Sequence, residues 1–433
     1  MKTLLLSFAI ALLIVSQASG QFILKGDFRP RLEFRDGYGQ ILSENQDPIL
    51  TISERARLTA NYTNGIFSFG IGIQDVRVWG DDYSTAYTGT PTGDATIQLN
   101  EGWIGIKPYK NGFFKIGRQY WSYEDERILA IRSWNQSELK YDAFLFQHTS
   151  KAIQVDVGLS WNNTKESNYN IPYDSLAMKT LNFIYLKKTI NDNMYVSLLA
   201  IASGFEAASS KVAPIYLQGT YGLYFSYKKD NINALVDGYY QNGRNRMGKV
   251  TNAYLVSGRF DYIFAKKFTL GAGIDYISGS NQDNDDADYT SKNHTFDNLY
   301  GVRHRVLGHL DYFNNMPKAT GNGGIGDYFL KFNHQFASNA FWGVDLHYMA
   351  LQNNVIDKTS ETGALLTKGL GEEIDLYISW DIVKWVQVRG GYSTFFATNS
   401  MEKLQNVYGN ARMPNWAWVM ITAKPVFFDN SAK

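Results

Sequence analysis

Residues 22–36 read Phe-Ile-Leu-Lys-Gly-Asp-Phe-Arg-Pro-Arg-Leu-Glu-Phe-Arg-Asp. Taken alternately, one set is Phe22, Leu24, Gly26, Phe28, Pro30, Leu32 and Phe34. The other is Ile23, Lys25, Asp27, Arg29, Arg31, Glu33 and Arg35. A β-strand sends successive side chains to opposite faces, so this segment builds one apolar wall and one strongly charged wall. The same split recurs in Ile153–Trp161, where Ile153, Val155, Val157, Leu159 and Trp161 oppose Gln154, Asp156, Gly158 and Ser160. In Glu373–Trp380, Ile374, Leu376, Ile378 and Trp380 oppose Glu373, Asp375, Tyr377 and Ser379. A soluble sandwich also alternates, so the pattern alone leaves two architectures open.

Segment count and spacing separate them. Strand-like segments fall at 22–36, 50–63, 66–79, 97–108, 112–119, 138–148, 152–162, 177–188 and 192–202. They continue at 214–228, 231–241, 251–264, 268–278, 324–336, 341–351, 371–380, 385–397 and 414–427, eighteen in all. Most are about the 9–11 residues that a tilted strand needs to cross the hydrocarbon of a bilayer. Connections after even-numbered segments are tight, as at Asn64-Gly65, Tyr109–Asn111, Lys229-Asp230 and Ala265–Lys267. Those after odd-numbered segments are long: 37–49, 80–96, 119–137, 163–176, 279–323 and 398–413. Short turns at one rim and long loops at the other are the pattern of an outer-membrane barrel with both termini in the periplasm. The expectation is an all-β, antiparallel up-and-down transmembrane barrel of eighteen strands. Leu376 and Phe183 are expected to face lipid.

The amino terminus agrees with that compartment. Lys2, the apolar run Leu4–Val15 and Ala18-Ser19-Gly20 have the anatomy of a cleaved signal peptide, and the run is too short for a membrane-spanning helix. The division expected is a signal peptide at 1–20 and one barrel domain at 21–433. There is no Cys, which excludes disulfides and thiolate metal sites. Charged residues make up only 19% and aromatics 15%, and such an aromatic-rich, Pro-poor exported chain fits either a large secreted β-protein or a membrane barrel. The net charge of +1 argues against a nucleic-acid partner.

An eighteen-strand barrel is too wide for side chains to fill, which leaves a lumen unless loops enter it. On the polar faces the basic residues are Lys25, Arg29, Arg31, Arg35, Arg55, Arg57, Arg77, Arg118, Arg259, Lys331 and Arg389. The acids are Asp27, Glu33, Asp75, Asp142, Asp156, Asp237, Asp261, Asp345, Glu373 and Asp375. The bases concentrate in the first five strands and the acids in the later ones. Two readings stay open. The charges pair into a network that stiffens the wall, or unpaired arginines meet anionic or hydroxyl-rich solute, since a guanidinium fork matches a carboxylate.

Several blocks resemble the alginate-export family of outer-membrane proteins. They are Phe114–Gln119, Ser122–Arg127, Trp134-Asn135-Gln136 and Tyr141-Asp142-Ala143, with Gly301–Arg305, Gly308, Asp311-Tyr312-Phe313 and Asp75–Gly80. That resemblance implies an eighteen-stranded barrel passing an anionic polysaccharide through a basic constriction. It places Arg77, Arg118 and Arg127 at or near the constriction, partnered by Asp125, Glu126 and Asp142. It also implies that Trp121–Ser137 folds inward, with Arg127 paired to a carboxylate such as Asp142 and Arg118 free for solute. The charge-balanced lumen departs from the plainly basic pore of that family.

No enzyme is expected, because no Ser-His-Asp set follows from the spacing of the six histidines, although Asp345 and His347 share a face. Asp283–Asp288 is dense in oxygen ligands but lacks the bounding Gly and Glu of a calcium loop, so a solvated loop is expected, with neither cofactor nor metal. The functional expectation is a porin-like channel for hydrophilic or anionic saccharides, with membrane lipid around it. The alternative is an accessory barrel of an envelope assembly, with protein partners and a lumen plugged by loops.

Overall fold

A computed structural model describes residues 20–80, 97–208 and 213–431. The signal peptide and most of the 80–96 connection therefore lie outside the described residues. Twenty strand segments hydrogen-bond into one sheet. Two strands are each split at a proline, which has no N–H to give to a ladder. β1 is Gln21–Phe28 continued by Arg31–Asp36, and β18 is Asn415–Ala423 continued by Val426–Asp429. Between them run β2 (Ile49–Asn64), β3 (Phe67–Val78), β4 (Gln98–Tyr109), β5 (Gly112–Gln119), β6 (Tyr141–Thr149) and β7 (Ile153–Trp161). Then follow β8 (Thr180–Asn191), β9 (Met194–Glu206), β10 (Ile215–Lys229), β11 (Ile232–Gly243) and β12 (Ala253–Phe264). The circuit continues through β13 (Phe268–Ile277), β14 (Ile325–Ala337), β15 (Ala340–Leu351), β16 (Gly369–Val383) and β17 (Val386–Ala397).

Each strand pairs antiparallel with the next, and β18 returns to β1 through Phe28↔Ala423 and Arg31↔Met420. The result is a closed barrel of eighteen strands. Closure removes every free edge, the condition for β-structure in hydrocarbon. Gly65, at φ +58°, makes the left-handed turn between β2 and β3 that only a glycine adopts without cost.

The exterior carries Phe28, Leu32, Phe34, Phe69, Ile71, Ile184, Leu186, Leu376 and Ile378 as exposed apolar side chains. Leu376 thus faces outward as expected. Phe183 does not. It is 2% exposed and points into the lumen beside Tyr185, while Ile184 and Leu186 form the outer face of β8. Both faces of that strand are apolar there, so alternation could not fix its phase.

The apolar core sits inside the barrel. Trp121, Ile128 and Leu129 from the β5–β6 loop join Phe296, Leu310 and Phe313 from the β13–β14 loop, and wall residues Phe183, Leu199 and Trp416 complete the cluster. The β13–β14 loop also carries two single helical turns, α1 (Ala287–Thr290) and α2 (Met316–Ala319), and α3 (Asn399–Leu404) lies in the β17–β18 loop. Asp286 caps α1, its side chain accepting from the Tyr289 N–H, in an exposed stretch. Among the described residues no His/Cys/Asp/Glu group is arranged to hold a metal ion.

Candidate constriction and lumen wall

The 120–140 loop does fold inward. At one end it is stapled to β1 and β2 by arginines acting as donors to its carbonyls. Arg29 reaches Ser133 O at 2.6 Å, Asn135 O at 2.5 Å and the Gln136 side chain at 3.0 Å. Arg31 donates to Trp134 O at 2.8 Å and pairs with Glu33, which also takes Arg35. Arg55 and Arg57 close on Glu138 at 3.1 and 2.7 Å, and Arg55 also holds Asp27 at 2.7 Å. Burial alone would raise the Glu138 carboxyl, but Arg55 and Arg57 outweigh it and hold it below its usual range. Hydrogen bonds from a charged donor contribute about 1.5–3 kcal/mol each. The basic wall is therefore spent largely on holding the loop.

The middle of the loop crosses to the acidic wall. Arg127 donates to Asp275 on β13 at 2.8 Å and to Ser257 on β12 at 3.0 Å, with Asp125 3.6 Å away. The partner is Asp275, not Asp142 as the sequence suggested. Glu124 accepts from Ser197 on β9 at 2.5 Å, and burial pushes its carboxyl up to about 7. Glu126 accepts from Ser122 and pairs with Arg305 at 3.3 Å.

The 278–324 loop enters from the other side and meets it. Leu129 and Tyr300 form a parallel β-bridge. Trp134 is sandwiched between the Arg31 guanidinium at 4.1 Å and the His304 ring at 3.9 Å, with Trp416 and Trp418 against its edges. Burial, reinforced by Arg31, holds His304 down to about 3, so it stacks as a neutral ring. Tyr38 donates to Asp311 and accepts from Trp134 Nε1. Glu373 on β16 accepts from the backbone N–H groups of His309 at 2.5 Å and Leu310 at 2.8 Å. Gly308, at φ +84°, lets that approach happen, since a Cβ there would sit 2.4 Å from Glu373 Oε2.

Four expected lining residues face the other way. Arg118 stands opposite Asp142 on the outer face that Phe114 and Ile116 share, and the two form a bidentate ion pair at 2.7 and 2.8 Å. Asp75 and Arg77 pair with each other opposite Ala56 and Glu54, in phase with the lipid-facing Phe69, Ile71 and Ile73. An inward polar face for every strand fails where a strand rises toward the rim and both faces tolerate charge. Arg29, Arg31, Arg35, Arg55, Arg57, Asp125, Glu126, Arg127, Arg259 and Arg389 do lie inside. Arg259 pairs with Asp261 at 2.9 Å. Arg389 has no carboxylate in ion-pair range among the described residues and sits over the Trp418 ring at 5.7 Å.

Sequence reasoning missed Asp275, Asp327, Glu138 and Tyr38. Asp275 alternates with Gly273 and Ile277 in a largely apolar strand, which gave no local signal. Asp327 accepts from His347 at 2.9 Å in the same acidic wall.

A closed barrel with an apolar exterior, an inner wall rich in charged side chains and loops folded into its interior defines a transmembrane β-barrel of the outer membrane. The fold is that of the solved Occ and OprD structures. It matches the crystal structure of Pseudomonas aeruginosa OccK9 (OpdG) with a TM-score of 0.63 at 11% identity, covering 94% of this chain and 99% of that one. It matches Acinetobacter baumannii OccAB1 with a TM-score of 0.62 at 13% identity, covering 94% and 97%. Pseudomonas aeruginosa OccD3 (OpdP) gives 0.60 at 12%, covering 94% and 92%. At such identities the likeness is one of fold. No family model matches the sequence, the alginate-export family included, and no curated protein matches it.

Proposed function

We propose that this barrel is a passive, constricted channel for small hydrophilic solutes, among them sugars and sugar acids. The observation that carries the reading is the combination of two inward loops with a lumen wall that keeps ionisable groups in contact with water. The Arg259 side chain is 40% exposed and that of Arg35 33% exposed. Lys331, Arg389, Lys115 and Lys187 add further charge on the inner faces of their strands. Such groups line a path in which a hydrated solute exchanges water for hydrogen-bonding partners. The Occ channels that share the fold lend the same direction. Export of an anionic polysaccharide such as alginate is the narrower form of the proposal, resting on the motif blocks alone.

A second reading has its own support. The apolar cluster runs from wall to wall through both loops, and a plugged accessory barrel docked to envelope proteins would be built that way. Planar-bilayer recording separates the two. A channel gives discrete, steady conductance steps and a measurable ion selectivity. Correctly assembled barrels that yield no steps would refute the channel reading and leave the accessory one.

A further inference from the structure

The short turns form a basic rim. Lys107 and Lys110 stand at the β4–β5 turn, Lys151 at β6–β7, and Lys228 and Lys229 at β10–β11. Lys266 and Lys267 follow at β12–β13 and Lys384 at β16–β17, and all of them are exposed. Within three residues of the eight short turns the acids are Asp192, Asp230 and Asp381 alone. The ion-paired lysines of the molecule are Lys179, Lys292, Lys331 and Lys403, so the rim ammonium groups pair with no carboxylate among the described residues. The opposite rim lacks this excess. Acids and bases nearly balance among the described residues of the long loops, and Asp283, Asp285, Asp286 and Asp288 stand exposed there.

Position and distribution select the occupant. The lysines occupy five of the eight short turns, from β4–β5 round to β16–β17, in a sheet that closes on itself. A docked globular protein would cover one sector of that circle, whereas lipid headgroups surround all of it. Beside the same turns stand the exposed Phe67, Tyr109, Phe264, Trp380 and Trp385, the kind of side chain that settles at headgroup level in a bilayer. A lysine just beyond such a girdle extends its stem along apolar surface and its ammonium into the phosphate layer. A zwitterionic headgroup brings its own ammonium to that layer, so a headgroup of net negative charge gains more from an unpaired basic rim. We propose that the short-turn rim is a docking surface for anionic phospholipid headgroups of the phosphatidylglycerol type, gathered from the periplasmic leaflet around the barrel. The inference goes beyond the channel reading and holds whether or not the barrel conducts.

The test offers the purified, folded barrel in a neutral maltoside detergent an equal mixture of phosphatidylglycerol and phosphatidylethanolamine. Lipid that stays with the protein through gel filtration is then quantified by mass spectrometry. Phosphatidylglycerol should be enriched several-fold over the mixture offered. Most of that enrichment should vanish in Lys229→Gln/Lys266→Gln/Lys267→Gln/Lys384→Gln, and persist in the matched loop variant Lys165→Gln/Lys249→Gln/Lys318→Gln/Lys358→Gln. Raising the salt from about 0.1 M to about 1 M, which shortens the screening length from about 10 Å to about 3 Å, should abolish it in the unaltered protein. That salt series decides the matter on its own if the rim variant does not fold. Retained lipid that mirrors the mixture, enrichment that survives in a folded rim variant or in high salt, or equal loss in the loop variant would each overturn the proposal. Poly-L-aspartate is run in parallel. Its salt-sensitive binding to a barrel that shows no lipid enrichment would overturn the proposal too, and give the rim to an acidic protein partner.

Discussion

Replacing Arg127 by Ala should release the middle of the 120–140 loop from the acidic wall. The guanidinium donates to Asp275 at 2.8 Å and Ser257 at 3.0 Å, and the side chains of the ion pair are only 9% and 3% exposed. Asp125 lies 3.6 Å away and Asp237 on β11 belongs to the same group of carboxylates. Burial alone would weaken the proton affinity of Arg127, but Asp275 and Asp125 more than reverse that. Truncation leaves these carboxylates facing one another without their cation. Breaking a buried pair from one side costs about 3–5 kcal/mol. At about 1.4 kcal/mol per factor of ten, the docked loop should lose roughly a hundred-fold to a few thousand-fold in population relative to the undocked one. The Arg29 and Arg31 staple persists, so the loop should swing from that end rather than unfold the barrel. Hydrogen–deuterium exchange reads this directly: amides of 122–131 should exchange at least a hundred-fold faster, while those of β12 and β13 stay protected. Arg127→Ala with Asp275→Asn should recover much of the protection, because one of the stranded charges is then gone. Unchanged exchange in the single variant would refute the idea that this ion pair fixes the loop.

Replacing 122–136 by a short Gly-Ser linker should raise single-channel conductance several-fold; an assembled barrel with unchanged conductance would place the constriction elsewhere. Leu376→Arg puts a charge on the lipid face at a cost of roughly 2–4 kcal/mol and should impair assembly in a heat-modifiability gel, whereas Gln387→Arg, on an inward face, should assemble normally. Arg118→Ala should leave ion selectivity unaltered, since the side chain is paired outside the barrel; a shift in reversal potential would contradict its placement. Glu124 titrates near 7 when docked, against its ordinary 4.5, so docking of the 120–127 segment is strongest below about pH 4.5 and weakens as pH rises through 7. Exchange of that segment, corrected for intrinsic rates, should quicken over this window and lose the dependence in Glu124→Gln, where Ser197, Tyr185, Lys187 and Asp125 still face the site.

The sequence by itself determined the barrel. Alternation in Phe22–Asp36 and its counterparts, the count of eighteen segments and the tight-then-long rhythm of connections all follow from local rules: a period of two, a bilayer of fixed thickness and a turn at Asn64-Gly65. Those rules are written within a dozen residues and survive without knowledge of neighbours. The amphipathic order of β1 also placed Arg29, Arg31 and Arg35 correctly on the inner wall.

Tertiary structure decided what the charges do. Whether Arg118 and Asp75 face lumen or rim depends on the register with neighbouring strands, which a single strand does not contain. Phe183 lies inward because the inward loop brings Trp121 and Tyr123 against it, and both faces of its strand are greasy. The partner of Arg127 is 148 residues away, on a wall that exists only once the sheet has closed. Arg29 and Arg31 serve loop carbonyls that any sequence would supply, so no residue code marks them as partners. A constriction is a meeting of distant segments in a space that closure creates, and its geometry is set by that closure.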